Sequence, residues 1–157
     1  MGITYLVGDA THVEGPGPHV IAHLCNDSGG WGKGFVLTIT RRWGQPEAAY
    51  RKWAKSGEDF GLGMVQLVTV ADNLTVANLV AQHGYRSASN PIAVRYDAVD
   101  ICLSKLAVRL ANGSTVQVPR IGCGLAGGQW EKIEPLIETR LVDSGFDVRV
   151  YDFPVGA

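Results

Sequence analysis

The segment Pro119–Trp130 restricts the possible folds of this chain more than any other stretch. Four of its glycines fall within seven positions, Gly122–Gly128, which we call the second glycine loop. The apolar run 116–118 before it is typical of a β-strand, and an amphipathic helix pattern begins near Trp130. A glycine-rich turn between a strand and a helix gathers free backbone N–H groups, which favours an anion such as phosphate. The segment therefore predicts an α/β unit with a phosphate-binding turn.

A further glycine cluster lies earlier in the chain, at Gly29–Gly34, and we call it the first glycine loop. It also follows a strand-like apolar run, Val20–Cys25. Its spacing is not that of a P-loop, since Asp27 stands where that motif requires glycine. Two such loops predict a ligand held from two sides, with simple tight turns as the alternative. At Lys33, a solvated surface charge is favoured over a phosphate ligand.

The hydrophobic pattern alternates between strands and helices along the whole chain. It predicts strands over 3–7, 20–25, 64–70, 74–81, 115–119 and 147–152, and helices over 35–43, 46–57, 94–110 and 130–143. Gly44 is the predicted C-cap of the first helix. This order predicts an α/β fold with three layers, α/β/α, around a mixed, largely parallel sheet. In such sheets a ligand lies beyond the carboxyl ends of the strands, where both glycine loops and the segment Gln82–Tyr85 are expected to meet.

Composition excludes several classes of protein. The 157 residues are 46% hydrophobic and 18% charged, which predicts one globular domain over 1–157 rather than disorder. A net charge of −1 argues against a long nucleic acid as partner. No apolar run is long enough to span a bilayer, so no membrane partner is expected. Three widely spaced cysteines indicate a reducing compartment, and we expect a cytoplasmic monomer.

Few polar side chains stand out as candidates for chemistry. His19 and His23 are four residues apart, roughly 13 Å on a strand, so no metal site and no cofactor are expected. His83 follows a buried-type strand, where it is either a general base or a structural hydrogen-bonding group. Asp9 follows the first strand, where it either caps the next turn or accepts from the amine of a base. Cys123 lies at a helix entrance, where a lowered thiol pKa is expected, although a purely structural role is the favoured alternative.

Together these segments resemble the macrodomain family, the α/β fold that binds ADP-ribose. Gly8–Thr11 resembles the first motif of that family, Ala22-His23 with the first glycine loop resembles the second, and Pro119–Trp130 resembles the other phosphate loop. The last motif is closest to the subclass of the terminal ADP-ribose protein glycohydrolase. The resemblance implies ADP-ribose and ADP-ribosylated proteins as partners. It also implies these ligand-binding residues: Asp9, Ala10, Asn26, Gly30, Gly32, Gly34, Ile121, Gly122, Cys123, Gly124, Leu125 and Ala126.

The chain departs from that subclass at its two catalytic positions. Gln82 stands where the glycohydrolase has a nucleophilic lysine, and Ala126 stands where it has an aspartate. Neither replacement performs those steps, which closes the covalent lysine route. The resemblance then implies a hydrolase that releases ADP-ribose from glutamate or aspartate esters by positioning water, with Gln82, His83 and Asp27 as catalytic candidates. The alternatives are a non-catalytic reader of ADP-ribose and a phosphatase acting on ADP-ribose 1″-phosphate.

Overall fold

The computed structural model describes residues 2–154. Its strands are β1 (Ile3–Val7), β2 (His19–Asn26), β3 (Val65–Ala71), β4 (Leu74–Gln82), β5 (Thr115–Val118) and β6 (Asp147–Asp152). Its α-helices are α1 (Phe35–Arg42), α2 (Gln45–Ser56), α3 (Tyr96–Arg109) and α4 (Trp130–Ile137). A 3₁₀ turn at Gly124–Ala126 and a π-helical turn at Glu138–Val142 complete the regular structure.

One six-stranded sheet organises the fold, in the order β1-β6-β5-β2-β4-β3. All neighbouring pairs are parallel except β3 with β4, which form an antiparallel hairpin. The mixed, largely parallel sheet with helices on both faces confirms the predicted fold class. Because the parallel strands share one direction, the segments that follow β2, β4 and β5 all leave the same edge of the sheet.

The two faces of the sheet carry separate apolar cores. Side chains alternate along β2, so that Val20 and Ala22 join the core under α3 and α4. Ile21 and Cys25 join the other core, under α1, α2 and the first glycine loop. The central strand is therefore covered on both sides, which explains its continuous apolar sequence.

Helix boundaries differ from the sequence prediction at several points, of which three change the local structure and the others are shifts of one residue. Trp43, and not Gly44, caps the end of α1, because the backbone turns at once into α2. Helix α3 begins at Tyr96 because Val94 instead forms a β-bridge with Gln82. The predicted helix 130–143 changes at Glu138 into a π-helical turn. Within residues 2–154, no helix combines the length and the apolar character needed to cross a bilayer.

Candidate functional site

A cavity of about 710 Å³ opens at the carboxyl edge of the sheet. Its walls come from the segments that follow β2, β4 and β5, so the two glycine loops do meet as expected. Among the residues that the structure describes, no aspartate or glutamate lines it, whereas Lys33, Arg86 and Arg120 do. The chain as a whole has 15 acidic and 14 basic residues, so this cavity concentrates positive charge.

The N-terminus of α1 forms one wall. Gly34 is its N-cap residue, with φ 81°, and provides no side chain for capping. In the part of the chain that the structure describes, the backbone N–H groups of Phe35 and Val36 find no acceptor. Both residues and Gly34 line the cavity. This wall therefore offers free donors and the positive end of a helix dipole.

The second glycine loop forms the opposite wall. Gly122 has φ 77°, and its carbonyl oxygen accepts the Gly128 N–H at 2.8 Å, which closes the loop. The N–H groups of Gly122 and Leu125 find no acceptor within residues 2–154. A Cβ built on Gly34 would lie 3.4 Å from Leu125 Cδ1, so the two walls touch there. Free donors therefore line the cavity from both sides.

A buried polar network supports the first glycine loop from below. Asn78 Nδ2 donates to Gln66 Oε1 (3.0 Å) and to the Pro46 carbonyl (3.2 Å), which leaves Asn78 Oδ1 to accept from His23 Nε2 at 2.6 Å. In the neutral ring His23 Nδ1 is therefore the nitrogen without a proton, and it is buried with no hydrogen-bond partner among the described residues. Burial lowers the pKa of His23 to about 4, although the bond to Asn78 opposes this. The imidazole is therefore neutral at pH 7.

Arg120 closes the end of the cavity on the β6 side. Its guanidinium binds Asp152 through two bonds, Nε–Oδ1 at 2.8 Å and Nη2–Oδ2 at 2.9 Å. It also lies over the rings of Tyr5 (4.8 Å) and Trp130 (4.9 Å). The Asp152 hydrogen bonds lower the pKa of that carboxyl and raise the pKa of Arg120. This arginine is thus held rigidly in a fully paired position.

A smaller pocket lies beyond Arg120 and is lined by Asp9, Arg42 and Tyr151. Asp9 Oδ1 accepts from the N–H (2.8 Å) and the hydroxyl (2.6 Å) of Thr11, so Asp9 does cap the turn after β1. Burial raises the pKa of this carboxyl, but the bonds from Thr11 and the charge of Arg42 outweigh burial, and the net pKa is lowered. Asp9 is therefore a carboxylate acceptor at the rim of this pocket.

Most of the predicted ligand-binding residues line the large cavity. They are Asn26, Gly30, Gly32, Gly34, Ile121, Gly122, Cys123, Leu125 and Ala126. Gly124 begins the 3₁₀ turn behind this wall. Ala10 is buried, and its carbonyl accepts from Gln117 Nε2 at 3.0 Å. Asp9 lies at the neighbouring pocket.

Only one of the three catalytic candidates lines the cavity. Gln82 lines the cavity, with a long 3.4 Å bond from Nε2 to the Gly84 carbonyl. Among the described residues, the cavity lining includes neither Asp27 nor His83. Their side chains pair with each other, Nδ1 to Oδ2 at 2.7 Å, and Asp27 Oδ1 also accepts the Gly84 N–H at 2.9 Å. This pair fastens the segment after β4 to the end of β2.

The expected lowering of the Cys123 thiol pKa is wrong. Burial raises this pKa, and the nearby Arg120 opposes it only in part. The sequence reasoning placed the segment Gln82–Tyr85 at this edge but did not name Tyr85 as a site residue, and it missed Arg86; both residues line the cavity. Their position just after β4, at the same edge as the glycine loops, was the signal that pointed to them.

Solved structures provide the strongest likeness. A protein of unknown function from Bacteroides thetaiotaomicron is 51% identical, with a TM-score of 0.92 over 97% of this chain and 98% of that one. A macrodomain protein from Streptomyces coelicolor is 50% identical, with a TM-score of 0.84 over 96% of this chain and 98% of that one. No family model matches the chain.

Curated proteins extend the likeness at lower identity. Chromodomain-helicase-DNA-binding protein 1-like of Mus musculus is 34% identical over 97% of this chain, which spans 18% of that protein. An ADP-ribose 1″-phosphate phosphatase from Lodderomyces elongisporus is 28% identical over 97% of this chain and its own full length. The human ADP-ribose glycohydrolase OARD1 is 26% identical over 95% of this chain and 90% of its own. Two relatives are thus named for hydrolysing ADP-ribose derivatives. Because half of its residues match the Streptomyces protein over nearly both full lengths, the chain belongs to the macrodomain family.

Proposed function

We propose that the cavity binds ADP-ribose and that the protein hydrolyses the ester between ADP-ribose and glutamate or aspartate side chains. One observation carries the proposal. Within residues 2–154, the cavity has no lining carboxylate and is enclosed by two walls of free N–H donors and three cationic side chains. Such a site fits an elongated ligand with a dianionic diphosphate at its centre. The two relatives named for ADP-ribose chemistry support this choice.

The site offers a place for each part of this ligand. The diphosphate fits between the N-terminus of α1 and the second glycine loop, which come close to each other at Gly34 and Leu125. The base fits the pocket at Asp9, whose carboxylate accepts from an exocyclic amine. The distal ribose then lies towards Gln82 and Asn26, at the ends of β4 and β2. This placement matches the order of the strands across the sheet.

The proposed reaction needs no lysine nucleophile. Water attacks C1″ of the distal ribose, the bond from C1″ to the ester oxygen breaks, and its electron pair leaves with the carboxylate. A carboxylate is a good leaving group, so little acid catalysis is required. Gln82 hydrogen-bonds the water or the ribose, and the backbone donors hold the diphosphate in place. His83 and Asp27 contribute by fixing the segment that follows β4 rather than as bases.

Binding is tested first, with a variant that fills the cavity without disturbing the fold. A Cβ on Gly32 would meet no heavy atom within 4 Å, and Gly32 lines the cavity. Gly32→Val should therefore abolish ADP-ribose binding measured by calorimetry, with an unchanged Tm. Gly61→Val is the matched control, since Gly61 has equally open surroundings outside the cavity. Equal ADP-ribose affinity in both variants would overturn the binding site.

Turnover is tested with two substrates in parallel. The protein is incubated with glutamate-linked ADP-ribosylated protein and with ADP-ribose 1″-phosphate, and release of ADP-ribose and of inorganic phosphate is followed. We expect turnover of the first, lost in Gly32→Val and reduced in Gln82→Ala. Turnover of the phosphate ester alone would identify a phosphatase, for which the Lodderomyces relative is the supporting observation. Tight binding without turnover of either substrate would identify a reader.

A further inference from the structure

Arg86 is a cation in the cavity wall without a counter-charge. Among residues 2–154 it forms no ion pair and no hydrogen bond, unlike Arg120, which is paired with Asp152. A guanidinium has five donors in a planar fork that matches a carboxylate or phosphate. A paired arginine organises the protein, whereas an unpaired one at a ligand cavity is free to bind an anion.

The position of Arg86 depends on a glycine opposite it. A Cβ built on Gly127 would lie 3.3 Å from Arg86 Nε, 3.4 Å from Arg86 Cδ and 2.6 Å from the Pro91 carbonyl oxygen. The side chain of Arg86 therefore rests in the space that a residue other than glycine would occupy. Arg86 thus packs against Gly127, the residue that follows Ala126, and both Arg86 and Ala126 line the cavity.

The contacts around Gly127 and the strand order together assign Arg86 to the β4 side of the cavity, away from Arg120. The Ala126 carbonyl accepts the N–H groups of Ala93 (2.8 Å) and Val94 (3.2 Å), and Val94 bridges to Gln82 at the end of β4. Arg120 is anchored on β6 through Asp152. Strands β6 and β4 are separated by β5 and β2, a span of about 14 Å at the usual strand spacing. Arg86 therefore lies beyond the diphosphate, near the distal ribose.

From this geometry we infer that Arg86 binds the acidic group attached to C1″ of the distal ribose and stabilises it as it departs. The inference rests on the proposed function. When water attacks C1″, the C1″–O bond breaks and its electron pair stays on the former ester oxygen. The single negative charge that results is shared by both carboxylate oxygens, which Arg86 binds. The proton of the attacking water passes to solvent. The products are ADP-ribose, a free side-chain carboxylate and one proton.

A side-chain carboxylate and a phosphate are both acidic groups that can leave from C1″. They differ in whether the negative charge is already present before the bond breaks. The acyl ester is neutral until its bond breaks, so Arg86 acts mainly in the transition state and changes kcat more than KM. A 1″-phosphate is already an anion in the ground state, so Arg86 strengthens its binding. Free ADP-ribose has only a hydroxyl at C1″, so Arg86 acts on it only through longer-range attraction of the diphosphate, and its affinity changes much less.

The test compares Arg86→Gln, Arg86→Lys and Lys33→Gln in the full chain. We expect Arg86→Gln to bind ADP-ribose within about twofold of wild type, to bind ADP-ribose 1″-phosphate about tenfold more weakly, and to lower kcat on the glutamyl ester about tenfold. Arg86→Lys retains the charge without the fork and should recover part of both losses. Lys33→Gln, which removes the cation beside α1, should change the affinities for the two nucleotides by the same factor.

The outcomes separate this inference from the proposed function. If wild type does not bind ADP-ribose, the proposed function fails. If wild type binds and Arg86→Gln weakens both nucleotides equally, Arg86 contacts the diphosphate and the inference is overturned. The inference is also overturned if Arg86→Gln leaves 1″-phosphate affinity and ester turnover unchanged. If Arg86→Gln weakens the binding of ADP-ribose 1″-phosphate while wild type does not hydrolyse the ester, the phosphate is the group that Arg86 binds.

Discussion

The two glycine loops look alike in sequence and use glycine for opposite reasons. In the first glycine loop, a Cβ on Gly32 would meet nothing within 4 Å, so the missing side chain leaves room in the cavity. In the second, a Cβ on Gly128 would lie 2.3 Å from the Gly122 carbonyl oxygen and 2.7 Å from Val94 Cγ1. There, the missing side chain allows backbone to pack on backbone. At these two positions glycine leaves room for a ligand in the first loop and allows close backbone packing in the second.

The foundations of the two loops differ in the same sense. Trp31 of the first glycine loop packs on the His23 ring, with centroids 5.3 Å apart, above the buried polar network. The Tyr50 hydroxyl accepts the Gly29 N–H at 3.1 Å and donates to the Asn26 carbonyl at 2.6 Å. The second glycine loop instead lies on apolar side chains of Val94 and Ile133. The first loop therefore rests on a buried titratable side chain, His23, whereas the second rests on apolar side chains.

The largest effect is expected from Gly128→Ala. The new methyl group would collide with the Gly122 carbonyl, and backbone has no easy way to yield, so the loop-closing bond from the Gly128 N–H breaks as well. We expect the free energy of unfolding to fall by about 3 kcal/mol or more, measured by urea denaturation. Gly124→Ala is the matched control in the same loop. Its Cβ would meet nothing within 4 Å, and only its φ of 66° is unfavourable, at about 1–2 kcal/mol.

If both substitutions cost the same, close packing is not the reason for glycine in the second glycine loop. The comparison between the loops would then reduce to backbone conformation alone. Gly32→Val supplies the third point, because it should leave the free energy of unfolding unchanged.

The next largest effect is a loss of stability in mild acid, caused by His23 in the network under the first glycine loop. The folded pKa of His23 is about 4, whereas an unfolded histidine has a pKa near 6.5. The unfolded state therefore binds the extra proton between these values, so this stabilisation is complete above pH 6.5 and falls as the pH drops. Between pH 7 and pH 5 we expect a loss of about 2 kcal/mol from this residue. Urea denaturation at both pH values measures it.

His23→Gln should remove this pH dependence, whereas His83→Gln should retain it because His83 is exposed and lies outside the network. A pH dependence that survives in His23→Gln would contradict the role given to the buried imidazole.

The sheet and the two walls of the cavity could be predicted from the sequence, for a physical reason. Strand order follows from alternating hydrophobic patterns, and parallel strands bring the segments after them to one edge. Gln82 was therefore placed correctly at the cavity. Asp27 and His83 lie only one residue beyond the strand ends, yet their side chains pair with each other outside the cavity lining. Side-chain direction in a loop depends on tertiary contacts, which sequence patterns do not encode.

Arg86 shows the same limit from the other side. Its segment is polar and rich in turn-forming residues, and only its position just after β4 distinguishes it from an ordinary solvated loop. Its place in the wall depends on Gly127, more than forty residues away along the chain. The purpose of each glycine was equally hidden. Both loops contain glycine in the sequence. Only the atoms around the position of the missing Cβ show whether a glycine leaves room for a ligand or allows close packing.

A smaller effect is expected from Gly30→Ala in the first glycine loop. Its Cβ would lie 1.9 Å from the Tyr85 hydroxyl oxygen, but Tyr85 is exposed and its ring can swing into solvent. We expect a cost below about 1 kcal/mol in the free energy of unfolding. A double-mutant cycle with Tyr85→Ala measures the coupling, and the cost of Gly30→Ala should vanish in the Tyr85→Ala background. A cost that persists would show that Gly30, like Gly128, is packed against backbone.

The last comparison leaves stability untouched and concerns Cys123 in the second glycine loop. Cys25 and Cys102 are buried, and burial raises the pKa of Cys102 to about 12, so neither should react with maleimide in the folded protein. Cys123 is partly exposed and lines the cavity, and it should be the single site labelled, slowly, because its pKa is also raised. ADP-ribose at ten times its Kd should slow this labelling about tenfold in wild type. Gly32→Val should label at the unprotected rate with or without the nucleotide. If wild type binds ADP-ribose and labelling is not slowed, the ligand does not reach the second glycine loop, and its free N–H groups serve something other than the diphosphate.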